Sequence, residues 1–244
     1  MSTSSPSVGP LALVGPGRMG RALAAALTAT GADVEGPLGR GAVPTADVVL
    51  LCVPDAAIAE VAAELPVRSG RLVGHVSGAS TLAPLAPHEA FSVHPLMTVP
   101  TGGATFTGAT AAVAGTTPRA LTLATTLAET VGMLPVTVAD EDRAAYHASA
   151  SVASNFLLTL LDGAEQLAAT AGVPRERLAP LVRATVENWE RTGSAEALTG
   201  PVARGDIQTV ARQRAALADR TPEQLPLYDV MVERTTALAR RGGR

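Results

Sequence analysis

Several groups of residues in this chain combine type and spacing in ways that could do chemistry. The first is GPGRMG, running from Gly15 to Gly20, a G-x-G-x-x-G arrangement that follows an apolar run and opens a helix-forming one. In that setting Gly15 makes the tight turn, Gly17 lets the backbone approach a diphosphate, and Gly20 lets helix and strand pack closely. The helix start adds free N–H groups and the positive end of a dipole. Pro16, Arg18 and Met19 complete the turn and are expected to lie against the same ligand. The competing reading is a strand-to-helix turn with no ligand at all.

A second group, GPLGRG, falls where the next strand should end. Small Gly39 leaves room there, and Arg40 can clasp a ribose 2′-phosphate through charge-assisted bonds of about 1.5–3 kcal/mol each. Glu35 competes, because a carboxylate about 20 residues beyond the first glycine can hold the ribose hydroxyls of NAD. It lies inside the strand rather than at its carboxyl end, so NADP is the expected cofactor. The alternative for Arg40 is a solvated surface arginine.

In open α/β sheets ligands lie over the carboxyl ends of the strands. Val53 and Pro54 in CVPD, Ser77 in HVSGAS and His94 in FSVHPL follow apolar runs directly. They are therefore placed near the dinucleotide, with Ser77 and His94 facing nicotinamide and substrate. Reduction of a carbonyl or imine needs a group that donates a proton or polarises the bond, and histidine is best tuned for this near neutral pH. His94 and His147 are the candidates. His75 reads as a core histidine and His88 as a solvated one. Ser151 and Asn155 follow His147 at i+4 and i+8 on roughly one helix face, with Asn155 about 12 Å along the axis from His147. Either this row lines a substrate site or its small and polar residues simply permit close packing. Arg204, in the loop ALTGPVARGD, can clamp a carboxylate through two parallel bonds, and Asp206 can cap the helix that follows.

Composition narrows the classes. A net charge of -3 over 244 residues gives no basic field for nucleic acid or an anionic membrane. The apolar runs are far shorter than the roughly 18 residues of a membrane span, and the opening decapeptide has no signal-like core. A cytoplasmic protein is expected. One cysteine, Cys52, forms no internal disulfide, and the four histidines lack chelating spacing, so no metal is expected. All 19 basic residues are arginine. Chemistry that needs a lysine acid, a Schiff base or a P-loop ammonium is thereby excluded.

The elements that must position these residues follow from the hydrophobic pattern. Residues 11–139 alternate short β runs with helical runs, as in a parallel sheet covered by helices. From residue 140 to 244 only helices are expected, the last starting at Thr221 with its hydroxyl as cap, Pro222 at the first position and Gln224 reaching back. The expected fold class is α/β: a tail over 1–10, a Rossmann-like doubly wound sheet over 11–139, and an all-helical C-terminal domain for substrate and subunit contacts.

The motifs GPGRMG, GPLGRG, LLCVPDAAI, HVSGAS, FSVHPL, DRAAYHASASVASNF and LTGPVARGD, in this order from about Leu11 to Tyr228, resemble a family of predicted oxidoreductases. That family joins a Rossmann-like domain to a C-terminal domain of unknown function 2520, and is related in architecture to pyrroline-5-carboxylate reductase, ketopantoate reductase and the β-hydroxyacid dehydrogenases. The resemblance implies NADP, a homodimer built through the helical domain, and a small carboxylated substrate. One departure stands out. The β-hydroxyacid dehydrogenases and the usual ketopantoate reductases resemble one another in a helix lysine followed four residues later by asparagine; here Asn155 matches the asparagine, but Ser151 stands in place of the lysine. His147 or His94 must then supply or relay the proton, and FSVHPL also resembles the His-Pro motif of prephenate dehydrogenases. The first expectation is an NADPH-dependent reductase of a keto acid of the ketopantoate type. An imine reductase is second, since a protonated imine arrives already activated, and a non-catalytic NADP-binding regulator is third.

Overall fold

A computed structural model describes residues 9–242, so most of the tail expected over 1–10 lies outside the described residues. The chain divides into two compact units, the first ending at Ser151 and the second beginning at Val152.

The first unit is a seven-stranded sheet in the order β2-β1-β3-β4-β5-β6-β7. Its strands are β1 (Leu11–Val14), β2 (Val34–Leu38), β3 (Val48–Leu51), β4 (Leu72–His75), β5 (Glu89–Pro95), β6 (Thr110–Gly115) and β7 (Leu134–Thr137). β1, β3 and β4 are buried along their whole length or nearly so. This is why they read as continuous apolar runs: strands covered on both faces have no polar side to alternate with. β2 lies at the edge, where Pro37 costs no ladder bond. β6 pairs antiparallel with β5, so the expected all-parallel sheet is mixed beyond β5.

Helices cover both faces. α1 (Arg18–Ala29) and α3 (Pro118–Thr130) pack Leu23, Leu27, Ala124 and Leu127 against Leu11, Leu13, Phe91 and Val93. α2 (Ile58–Glu64) brings Ile58 and Ala62 to Val49, Leu51 and Val73 on the opposite face. Each buried leucine or phenylalanine contributes about 1.5–3 kcal/mol of transfer free energy. α3 starts as its sequence dictates, with Thr117 accepting from Ala120 N at 3.1 Å and Pro118 in the first turn.

Helical structure does begin near residue 140, but α4 (Arg143–Ser151) belongs with the sheet unit. Buried Arg143 accounts for this, since its hydrogen bonds tie the helix to β5 and to the turn after β4. A π-helical turn, Val152–Phe156, follows. The second unit continues with α5 (Leu157–Ala169), α6 (Arg175–Thr192), α7 (Ser194–Ala197), α8 (Ile207–Arg220) and α9 (Leu225–Gly242). Asp206 caps α8, accepting from Thr209 N at 3.0 Å. The cap expected at Thr221 does not form: its hydroxyl is buried without a partner, and Gln224 turns to Gln166 at 3.2 Å instead. Arg214 on α8 pairs with both carboxylate oxygens of Asp229 on α9, each at 2.8 Å. Among the described residues of this unit only Leu217 and Thr221 are buried, while Phe156, Leu158, Leu181 and Trp189 are all more than half exposed. Among the described residues no helix is long and apolar enough to cross a membrane.

Candidate active site

At the carboxyl ends of β1 and β3 lies a cleft of about 400 Å³. Gly15, Pro16, Gly17, Gly39, Arg40, Val53 and Pro54 all line it, so most of the residues assigned to the dinucleotide from sequence share one surface. Its glycines fall into two kinds. Gly15 has φ +116°, and a Cβ there would strike the Cys52 backbone; one on Gly20 would strike the Gly15 carbonyl. These two are dictated by the protein's own packing. A Cβ on Gly17 would meet nothing nearer than Cys52 O at 4.0 Å, and one on Gly39 would meet nothing within 4 Å. Their bareness therefore leaves open space on the cleft wall. Gly17 also begins α1 with no side-chain cap and no acidic residue in the first turn, so the helix N–H groups and dipole face the cleft uncompensated. The residues present thus fit a dinucleotide diphosphate. Cys52 borders the cleft, but burial pushes its thiol up to about 12, which leaves it unreactive.

Arg40 is exposed in the β2–β3 turn and makes no hydrogen bond or ion pair among the described residues. Glu35, its rival in choosing the cofactor, is committed elsewhere. Its carboxylate accepts from Thr45 N at 2.9 Å, Thr45 Oγ1 at 3.0 Å and Ala46 N at 3.1 Å. Two other assignments narrow to backbone N–H groups, because the side chains turn elsewhere. Arg18 borders a separate cleft, beside Arg21 and residues 100–105, because the first turn of α1 points it to the helix's other flank. Met19 packs against the core beneath α1, leaving only its backbone for a ligand.

Further along the sheet, the ends of β4 and β5 carry a second cluster, two and three strand spacings from β1, or about 10 and 14 Å. Period-two alternation puts Ser92 and His94 on the face opposite Phe91 and Val93, and Ser92 pairs in register with His75. α4 meets this face in step. Arg143, 1% exposed, donates to Asp140 Oδ1 at 2.8 Å, to the Ser77 carbonyl at 3.4 Å and to Ser92 Oγ. One turn on, Tyr146 Oη lies 2.8 Å from His94 Nδ1. His147, exposed, stands edge-on to His94 with ring centroids 6.1 Å apart. Both rings press on the bare backbone at Gly78, where a Cβ would come within 2.7 Å of His94 and 2.9 Å of His147.

The electrostatics separate these groups. Burial, with His147 and Arg143 adding to it, brings His94 down to about 4, so its ring is neutral at pH 7 and is no imidazolium acid. In the tautomer protonated at Nε2, Tyr146 donates to Nδ1. Burial raises the Tyr146 phenol and Arg143 partly opposes this. His75 is a satisfied core histidine, bonded to Thr81 O at 3.0 Å and accepting from Ser77 N at 3.2 Å. His88, expected in solvent, is buried with Nε2 3.1 Å from Ala62 O.

Ser77 has no capacity left for substrate or cofactor. Its hydroxyl donates to Asp55 Oδ2 at 2.7 Å and accepts from Ala79 N and Ser80 N at 3.2 and 2.9 Å; it shapes the turn that holds Gly78 under the histidines. Ser151 Oγ bonds its own helix at His147 O, 3.3 Å. The π-helical turn breaks the α-helical spacing that would place Asn155 in line with His147 and Ser151, and Asn155 and Arg204 belong to the second unit. Arg143, Tyr146 and Gly78 escaped the sequence reading. A signal was present, since Arg143, Tyr146 and His147 recur at i, i+3 and i+4 on one helix face in a chain with only two tyrosines.

Sheet order, glycine turn and cleft define a Rossmann-like protein with a helical C-terminal unit. A family model for Rossmann-like domains matches residues 37–100. The model described as Domain of unknown function (DUF2520) matches residues 109–235, more than half the chain, and the chain belongs to that family, as its motifs implied. No curated protein sequence matches it. Among solved structures, a Bacteroides fragilis protein provisionally named an NADP oxidoreductase superposes with a TM-score of 0.81 at 20% identity, over 94% of this chain and 98% of that one. An Aspergillus terreus imine reductase gives 0.65 at 18% identity over 97% and 96%. A Streptococcus pyogenes 1-pyrroline-5-carboxylate reductase gives 0.62 at 13% identity over 93% and 98%. At these identities the likeness is one of fold.

Proposed function

We propose that the protein is an NADP-dependent oxidoreductase that reduces a small C=N or C=O substrate. The observation that carries this reading is the cleft at the β1–α1 junction, whose open glycines and uncapped helix end suit a diphosphate, with Arg40 free at its rim. Gly17 and the first N–H groups of α1 would hold the diphosphate, and Arg40 the 2′-phosphate. Bound NADPH supplies a hydride. The fold neighbours support the same class, the A. terreus enzyme having been captured with a reduced NADP and a cyclic imine.

Of the two substrate classes, the His94–Tyr146–His147 cluster favours the imine. A keto acid needs a proton at its oxygen as the hydride arrives. The chain has no lysine, His94 is neutral and the Tyr146 hydroxyl is engaged by His94 Nδ1, which leaves His147 to supply that proton. An iminium brings its own proton, and a neutral His94 spares it a neighbouring positive charge. His147 and Tyr146 then orient the substrate over Gly78. This ranking reverses the order expected from sequence, and the keto acid of the ketopantoate type stays as the second reading because exposed His147 can reach a carbonyl oxygen.

Following NADPH absorbance decides between them. Turnover of pyrroline-5-carboxylate should exceed that of ketopantoate by at least about tenfold, equivalent to about 1.4 kcal/mol of barrier. Preference for the keto acid overturns the imine reading, and absence of NADPH binding overturns both.

We further propose that the second unit assembles with a second copy of the chain. A helical unit whose only buried apolar side chain among the described residues is Leu217 lacks a core sufficient for its size. The exposed Phe156, Leu158, Leu181 and Trp189 supply the apolar surface of a missing interface. Sedimentation should give twice the mass of one chain, and Leu158→Asp should shift it toward monomer; a wild-type monomer at micromolar concentration refutes the assembly.

A further inference from the structure

Glu35 stands at the residue count where a Rossmann-like carboxylate reads ribose hydroxyls, yet it does not line the cleft. The reason is a bulge in β2. Ala12 pairs with Glu35 but Val14 with Leu38, so β2 spends an extra residue there and its carboxyl end moves on to Leu38. Glu35 is left in mid-strand, beside the returning chain before β3, where Thr45 and Ala46 present their amides to it.

The same short segment is gripped from its other side. Arg71, 2% exposed at the start of β4, donates to Pro44 O at 3.1 Å, Ala46 O at 3.2 Å and Pro66 O at 3.3 Å. Residues 44–46 are thus held by a carboxylate on their amides and a guanidinium on their carbonyls. Burial raises the Glu35 carboxyl, but the bonds from Ala46 and Thr45, helped by the charge of Arg71, outweigh it and keep the group ionised. Immediately upstream, Gly39–Val43 form the cleft rim, fixed at their near end by Gly15 N donating to Leu38 O at 2.8 Å. Between these two anchors the rim carries Arg40, which has no partner of its own among the described residues.

We infer that Glu35 and Arg71 form a two-sided staple that positions the Arg40 turn, so that Glu35 sustains selectivity for NADP instead of reading the ribose hydroxyls of NAD. This rests on the proposed NADP-binding cleft. A rim ordered before binding spares the ligand the entropic cost of ordering it, so the benefit falls on the nucleotide that uses Arg40.

Equilibrium titration of Glu35→Ala with NADPH and with NADH tests the inference without any activity measurement. The expected result is a loss of about tenfold for NADPH, roughly one charge-assisted contact, with NADH little changed, so the preference for NADPH shrinks. A carboxylate that read ribose hydroxyls gives the opposite: NADH binding weakens and the preference for NADPH widens. That result, or an unchanged ratio, overturns the staple. Thr45→Val, which removes only the hydroxyl donor, should shift the ratio the same way by a smaller factor and guards against an unfolded Glu35→Ala. If the wild-type protein binds neither nucleotide, the cofactor proposal fails by itself. The staple is then judged by hydrogen exchange at the Thr45 and Ala46 amides, which Glu35→Ala should accelerate and which, if unaltered, refutes it.

Discussion

Gly17→Val is expected to weaken NADPH binding by about a hundredfold while moving the melting temperature little, whereas Gly20→Val is expected to destabilise the fold. The two glycines sit three residues apart in one motif, but their surroundings differ. The nearest atom to a Cβ on Gly17 would be Cys52 O at 4.0 Å, and the backbone there, φ -69° and ψ -178°, suits any residue. Valine is a poorer helix N-cap than glycine, which costs at most about 1 kcal/mol. Its methyl groups, however, would occupy the space a diphosphate needs and block two charge-assisted bonds from the helix N–H groups. At about 1.5 kcal/mol each, the loss comes to roughly a hundredfold in affinity. At Gly20 a Cβ would land on the Gly15 carbonyl and come within 3.2 Å of the Cys52 side chain. Neither neighbour is the end of a flexible chain, so the helix must move off β1, at a cost of about 3 kcal/mol. In a protein of this size that lowers Tm by about 6–12 °C. Titration calorimetry with NADPH and thermal melts on both variants check the pair. Equal losses of stability with unchanged affinity would mean that the motif is a structural turn and nothing more.

The contrast also shows what the sequence could and could not convey. G-x-G-x-x-G after an apolar strand located the cleft, because the turn, the strand before it and the helix after it are local. The central strands were legible for the same reason: β1, β3 and β4 are buried on both faces, and a continuous apolar run is how such strands read. What was lost lies in contacts between distant residues. His94 and Tyr146 are 52 positions apart, and nothing in FSVHPL announces that its histidine is held neutral by burial beside a buried arginine. Arg143 is one of nineteen arginines with no reading of its own in the sequence, yet it decides where α4 belongs. Glu35 was recognised as a competitor for the ribose, but its real partners come ten residues later, behind a bulge that only the strand register reveals. His88 sits in a proline-flanked loop that reads as solvent-exposed, and packing against α2 buries it. Thr221 has the residue type of a cap, yet its hydroxyl is buried without a partner and makes no cap bond. Short-range rules succeeded where backbone geometry governs, and failed where a side chain's neighbours come from another element.

The largest effect of pH should trace to the same cluster. His94 titrates at about 4 in the folded protein against an ordinary histidine value of 6.5. Between those two pH values the unfolded chain binds a proton that the folded one refuses, so stability falls as pH drops through this window. The full contribution of His94 is present above about pH 6.5 and is lost by about pH 4, a span worth about 3 kcal/mol. Buried His75, whose value is also lowered, acts in the same direction. Glu35 and Glu89, both held below the ordinary carboxylate value, add their loss at lower pH. His94→Gln separates His94 from the others, because an amide can still accept the Tyr146 hydroxyl but has no charge to refuse. Denaturant unfolding at intervals from pH 7 to pH 4 should show a steep decline for the wild type and a decline shallower by up to about 3 kcal/mol for the variant, with the His94 ring proton titrating near pH 4 by NMR. A ring titrating near 6.5, with parallel stability curves for the two proteins, would place a charged imidazolium beside Gly78. His94 would then return as a proton donor, and the keto acid would displace the imine as the better substrate, because the preference for an iminium depends on a neutral His94 ring.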